Sequence, residues 1–171
     1  SNYLKKIVKS WNLGNKKIEI IYNSIDIKDF KYVKPKEILK KINFQMGDKI
    51  ICTISRLAKH KNIEELLETI NYTNNLKHII IGEGPMRKEI ENKIIKLKLN
   101  NNVFLLGSLD KNKTYSCLKI SDFFILYSSY EGFAHVILEA MYFNNVVIAT
   151  NVGGNKEIIE NNKNGYLISF N

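Results

Sequence analysis

The sequence predicts a doubly wound α/β fold, a mostly parallel, Rossmann-like sheet with helices on both faces. Three observations point there. Short apolar, β-branched runs alternate along the chain with amphipathic segments of helical period. Those runs are apolar throughout, as strands buried on both faces must be. Most of them end in turn-forming residues, and strands separated by helices pair in parallel through crossovers.

Taken in order, Lys17–Tyr22 reads as a short strand closed by the turn-like Asn23-Ser24-Ile25-Asp26, and Pro35–Phe44 as a short helix. Lys49–Ser55 (KIICTIS) is too short and too β-branched for a helix and predicts a strand. Asn62–Tyr72 places Ile63, Leu66, Leu67 and Ile70 on one helical face. His78–Ile81 is the next strand, ending in Gly82-Glu83-Gly84, and Pro85 is expected to open a helix whose stripe is Ile90, Ile94 and Leu97. Val103–Leu106, Asp122–Tyr127, Val146–Thr150 and Gly165–Ser169 continue the strands; Lys111–Ile120, Ala134–Phe143 and Asn155–Glu160 supply the helices between them.

The chain has 171 residues, is 44% hydrophobic and carries a formal charge of +9. That composition excludes a disordered chain, a collagen-like fibre and a disulfide scaffold. Cys52 and Cys117 sit among apolar neighbours and read as reduced core thiols, which suits a cytoplasmic protein. Scattered histidines (His60, His78, His135) and the lack of a C-x-x-C pair give no zinc signature. All but two of the 26 basic residues are lysine. Heavy use of lysine, isoleucine and asparagine makes the charge a compositional habit first, and a complement to an acidic partner second. The two arginines, Arg56 and Arg87, mark positions where a planar, bidentate fork is hard to replace.

In doubly wound sheets ligands bind beyond the carboxyl ends of the strands. This directs attention to residues 55–62, 82–85, 107–111, 128–136 and 151–155. In the first, Arg56 and Lys61 lie between a strand and a helix start that already favours anions, a diphosphate clamp or an ordinary charged loop. In the fourth, Glu131 and Gly132 precede a helix carrying Glu139 among Val136, Ile137, Leu138, Ala140 and Met141. Gly132 permits close backbone approach, and an unpaired carboxylate at Glu139 would be costly. A structural ion pair or sugar hydroxyls would satisfy Glu139 equally well.

These segments carry a family likeness. Arg56 with Lys61, Gly82-Glu83-Gly84-Pro85, Val103–Gly107, the E-x7-E spacing from Glu131-Gly132-Phe133 to Glu139-Ala140-Met141, Val152-Gly153-Gly154 with Glu157, and Asn164-Gly165 follow one another in order. Together they resemble the retaining glycosyltransferases of family 4 over about residues 17–169. Tyr22-Asn23-Ser24-Ile25-Asp26 resembles their hinge.

The resemblance implies one lobe of a GT-B fold, the C-terminal, donor-binding one. Residues 1–30 would be the tail of the missing N-terminal acceptor lobe and the hinge, residues 31–171 the nucleotide-sugar-binding lobe, with the family's terminal helices absent. Arg56 and Lys61 would hold the diphosphate of a UDP-sugar or GDP-sugar donor, and Glu131 the sugar hydroxyls. Glu139 would bind the ribose. Backbone at Gly132, Phe133, Ala134, His135 and Val136 would meet phosphates and sugar, while Gly107, Ser108, Leu109, Asp110 and Lys111 flank the base. No cofactor or metal is implied. Cations and a helix N-terminus would stabilise the departing diphosphate instead. Against the family's usual residues, Asn62 and Asn144 replace Gly, Ser24 the hinge Gly, Ala134-His135 the commoner Gly or Pro with its neighbour, and Val146 a Pro.

The expected activity is hexosyl transfer to a glycan or lipid-linked acceptor in cell-envelope polysaccharide biosynthesis. The lysine excess suits peripheral association with an anionic membrane at its inner face. A non-catalytic nucleotide-sugar-binding lobe and a GT-B sugar-nucleotide epimerase stand as alternatives. A nicotinamide dehydrogenase lacks its G-x-G-x-x-G, and the dispersed lysines do not make a nucleic-acid face.

Overall fold

The computed structural model describes residues 1–12, 14, 16–26, 28, 31–32 and 34–170. Its elements are α1 (Asn2–Ser10), α2 (Lys36–Lys41), β1 (Lys49–Ile54), α3 (Ile63–Thr69), β2 (Leu76–Ile81), α4 (Arg87–Lys96), β3 (Val103–Gly107), α5 (Lys111–Ile120), β4 (Phe123–Leu126), α6 (His135–Tyr142), β5 (Val146–Thr150), α7 (Asn155–Ile158) and β6 (Tyr166–Ile168). A 3-10 turn at Lys59–Lys61 precedes α3.

All six strands pair in parallel, in the order β3-β2-β1-β4-β5-β6. This is the doubly wound order: successive strands are added outward in one direction from β1 and then in the other from β4, so the switch point lies between β1 and β4, where Ile51 pairs with Phe123. The apolar strands are buried on both faces as expected. Ile50, Cys52, Ile79, Ile81, Phe124 and Leu126 pack on one side with Tyr115, Leu118, Ile137 and Ala140 of α5 and α6. On the other side Ile80 meets Ile63, Leu67, Ile90 and Ile94 of α3 and α4, and Ile51 and Ile125 meet Leu66. Each fully buried Ile, Leu or Phe among them contributes about 1.5–3 kcal/mol. Both cysteines are free and buried. Burial raises both thiols, Cys117 to about 12, with the Cys117 thiol adding to the rise at Cys52.

Local chemistry sets the helix ends. Asp110 caps α5 by accepting the Lys113 N–H (2.9 Å), and Ser1 caps α1 by accepting from Leu4. Acidic Glu64 and Glu65 occupy the first turn of α3, where the helix dipole favours them.

Two expectations need correction. Lys17–Tyr22 forms no strand: it pairs with neither edge strand of the sheet (β3 or β6), and Ile21 is 90% exposed. Pro85 sits in a turn, and α4 starts two residues later at Arg87, because the Met86 and Arg87 N–H groups close onto Leu57 O and Gly84 O first. The helix α1 was not foreseen. The expected boundary at residue 30 falls on positions outside the described residues.

Candidate donor-binding site

The carboxyl ends of β1 and β4 flank the switch point, and their loops form the rim of the site. After β1, fully buried Leu57 anchors the loop, so its neighbour Arg56 projects into solvent. Backbone bonds from Ser55 N–H to Ile81 O (3.1 Å) and Leu57 N–H to Glu83 O (2.9 Å) fasten it to the loop after β2. Gly82 makes that approach feasible: its φ is +138°, and a Cβ there would lie 1.9 Å from Ser55 O.

Arg56 borders a cleft of about 400 Å³ with Ser55, Glu83, Ser108, Leu109 and Thr114. Among the described residues its guanidinium has no ion pair or side-chain hydrogen bond. Glu83 is fixed differently, accepting from Arg87 at 2.6 Å.

Lys61 is in the opposite condition. Its Nζ donates to Glu131 Oε1 at 2.5 Å, and the two side chains are only 15% and 10% exposed. Charges so withdrawn from water persist only when paired. The surrounding loops are joined by Ser129 N–H to His60 O (2.8 Å) and by Asn62 Nδ2 to Tyr127 O (3.4 Å). Asn62 itself has φ +46°, the left-handed region that Asn tolerates better than other side chains.

Glu139 lies in the second turn of α6, half-buried, and accepts the Tyr115 hydroxyl at 2.8 Å. Burial, then this bond, raises the Tyr115 phenol. Of the other expected site residues, Gly132 and Phe133 line the loop before α6, with Phe133 tilted against Tyr22 at 5.8 Å. Ala134 is the buried N-cap, His135 is exposed, and Val136 turns into the core. At the start of α6 the Ile137 N–H donates to Ala134 O (3.1 Å), whereas the His135 and Val136 N–H groups precede the first intrahelical bond. Ser108 and Leu109 reach the cleft. Gly107 (φ +73°) faces Glu83, Asp110 is committed to capping α5, and Lys111 extends to Asp26 O (3.2 Å) over the Tyr115 ring.

The structure thus joins Lys61 to Glu131 and joins Arg56 to Ser108 and Leu109. It does not bring the Asp110 carboxylate into the cleft. Tyr115 was missed, although its place on the buried stripe of α5 facing α6 was the available signal. Missed too were Ser1, Tyr3 and Leu4, which no motif marks. A larger open hollow of about 930 Å³, bordered by Lys49, Asp122, Tyr142 and Asn144, lies at the amino ends of the strands, away from this rim. Among the described residues no three His, Cys, Asp or Glu side chains converge as metal ligands.

The cleft beside Arg56 and the Lys61–Glu131 pair lie on loops at the carboxyl ends of the strands of a doubly wound parallel sheet, the architecture of a lobe of the GT-B kind. The chain belongs to the family of glycosyl transferases group 1, whose profile matches residues 35–171. It is 30% identical over 167 residues to the Campylobacter jejuni N-acetylgalactosamine-N,N'-diacetylbacillosaminyl-diphospho-undecaprenol 4-alpha-N-acetylgalactosaminyltransferase. That match covers 96% of this chain and 44% of the relative. An Escherichia coli UDP-Gal:alpha-D-GlcNAc-diphosphoundecaprenol alpha-1,3-galactosyltransferase is 29% identical, with the same coverage. Among solved structures, a Staphylococcus aureus TarM mutant, in complex with Fondaparinux, alpha-GlcNAc-glycerol and UDP, superimposes with a TM-score of 0.76. Its identity is 30%, over 96% of this chain and 31% of that one. The chain spans less than half the length of these relatives. No helix among the described residues is long and apolar enough to cross a membrane.

Proposed function

We propose that this lobe binds a nucleoside-diphosphate sugar and, within the full-length protein, serves retaining transfer of a hexosyl group to a glycan or lipid-linked acceptor. The observation that carries the reading is that Arg56, bordering an open cleft, and the Lys61–Glu131 pair both stand on loops at the carboxyl ends of β1 and β4, the two strands that flank the switch point of the sheet. A sugar nucleotide has a dianionic diphosphate between two hydroxyl-rich rings, and this rim offers cations between carboxylates.

In this reading Arg56 takes the diphosphate directly. Lys61 turns from Glu131 to the phosphates, and the freed Glu131 accepts sugar hydroxyls. Glu139, oriented by Tyr115, accepts from the ribose. The loop into α6 and its first residues, Gly132 to Val136, supply N–H donors to the phosphates, and Ser108 and Leu109 border the base. Breaking the bond from the anomeric carbon to the phosphate oxygen leaves negative charge on the diphosphate, which Arg56, Lys61 and the α6 terminus stabilise without a metal. Losing one such contact raises the barrier by about 2–4 kcal/mol. Relatives acting on undecaprenol-linked acceptors, together with the lysine excess, support work at the inner face of an anionic membrane.

The test is a panel of UDP- and GDP-sugars with full-length protein and a lipid-linked acceptor, the anomeric configuration of the product being read by NMR. Retained configuration supports the reading; inverted product, or donor isomerised without acceptor, contradicts it. A second reading, a non-catalytic binding lobe, is favoured for the isolated chain by its coverage of less than half of its relatives. It predicts nucleotide binding with no transfer.

A further inference from the structure

Helix α1 and Tyr22 are tied to the rim at both of its supports. The Glu157 carboxylate of α7 accepts the Asn2 N–H (2.7 Å) and the Tyr3 N–H (2.8 Å), and the Tyr22 hydroxyl lies at 3.4 Å. The same segment covers the loop of residues 130–133: Ser1 Oγ donates to Gly132 O (3.1 Å), the Tyr3 and Tyr130 rings lie 6.0 Å apart, and the Leu4 side chain would be 3.3 Å from a Cβ at Gly132. A third contact closes the triangle. Gly154 N–H donates to Glu131 O (3.1 Å), three residues before Glu157.

We infer that Glu157 is a positioning residue: by clamping the N-terminus of α1 it seats that helix on residues 130–133 and so sets the direction of the Glu131 carboxylate. This rests on the donor-site reading for its consequence, not for its geometry. A carboxylate at a helix N-terminus satisfies two N–H groups that have no intrahelical acceptor, so its loss frees the whole segment, not a single side chain. Packing by Leu4 and Tyr3 alone is weak, since no residue of α1 is buried.

The test combines hydrogen exchange with titration on Glu157→Ala, Glu157→Gln and Asn2→Pro. The last removes one clamped donor at the first helical position, where proline is tolerated. In Glu157→Ala the amides of residues 2–5 and 131–134 should exchange about tenfold faster together, with those of β1 and β4 unchanged. Asn2→Pro should do so in part, and Glu157→Gln, with one acceptor oxygen for the two N–H groups, should restore only part of the protection. UDP affinity should stay within about twofold, while any added affinity of UDP-glucose over UDP falls about fivefold. Unchanged exchange at 131–134, or a rise spread evenly over β1 and β4, overturns the inference. Equal loss for UDP and UDP-glucose overturns it too. A wild-type chain that binds neither ligand overturns the donor-site reading, and the exchange comparison still decides the clamp.

Discussion

The two halves of the rim are prepared differently. On the β1–β3 side Arg56 borders an open cleft and, among the described residues, has no ion pair or side-chain hydrogen bond to break before receiving an anion. On the β4–β5 side Lys61 and Glu131 satisfy one another, and α1 and Tyr22 lie over the adjoining loop. The contrast teaches that one half can capture a diphosphate at once, while the other must exchange partners before a sugar can be held. Binding to the second half is therefore a competition between ligand phosphate and Glu131 for one ammonium.

The largest way to break the contrast acts on what supports the filled half. Gly153 has φ +52°, and a Cβ there would lie 1.7 Å from Glu131 O. Gly153→Ala should cost about 4 kcal/mol or more in urea unfolding; a cost below about 1 kcal/mol would show the loop free to move. Next is the pair itself. Glu131→Ala leaves Lys61 nearly buried and alone, for a loss of about 3 kcal/mol, and the double variant Lys61→Met with Glu131→Leu should recover most of it. No recovery would mean that the pair contributes through geometry rather than charge.

A third measurement separates rim charge from core titration. His78 is fully buried, bonded at Nε2 to Thr53 (2.8 Å) and at Nδ1 to Tyr72 (2.7 Å). Burial lowers its pKa from 6.5 to about 3. The unfolded chain takes up a proton below about pH 6.5 that the native imidazole refuses, so stability falls as pH drops from there toward 3. The slope is at most about 1.4 kcal/mol per pH unit. His78→Gln should flatten it; an unchanged slope would assign acid sensitivity elsewhere. The smallest effect is expected at Arg56, where Ala should change stability by no more than about 0.5 kcal/mol, as for an exposed, unpartnered charge. A larger loss would mean that the open half is not open.

Most of the sheet was legible because burial on both faces writes itself as unbroken apolar runs: α5 and β5 coincide with Lys111–Ile120 and Val146–Thr150. Lys17–Tyr22 failed because a strand needs a neighbour, which a local pattern does not report. The departures from family glycines became intelligible only with backbone angles. Asn62 and Asn144 have φ of +46° and +62°, so asparagine stands in for glycine where the left-handed region is required. At Val146, where proline is usual in the family, the N–H donates to Asp122 O (3.0 Å). Spacing marked Arg56, Lys61, Glu131 and Glu139, whereas the pairing of Lys61 with Glu131 and the cover supplied by α1 join residues up to 155 positions apart. No local reading reaches that far.

Calorimetric titration of UDP into the wild-type chain, Arg56→Ala and Lys61→Ala tests the division of the rim most directly. The account predicts that Arg56→Ala weakens binding about tenfold or more, whereas Lys61→Ala weakens it less, because its ammonium must first leave Glu131. Equal affinity in wild type and Arg56→Ala would contradict it.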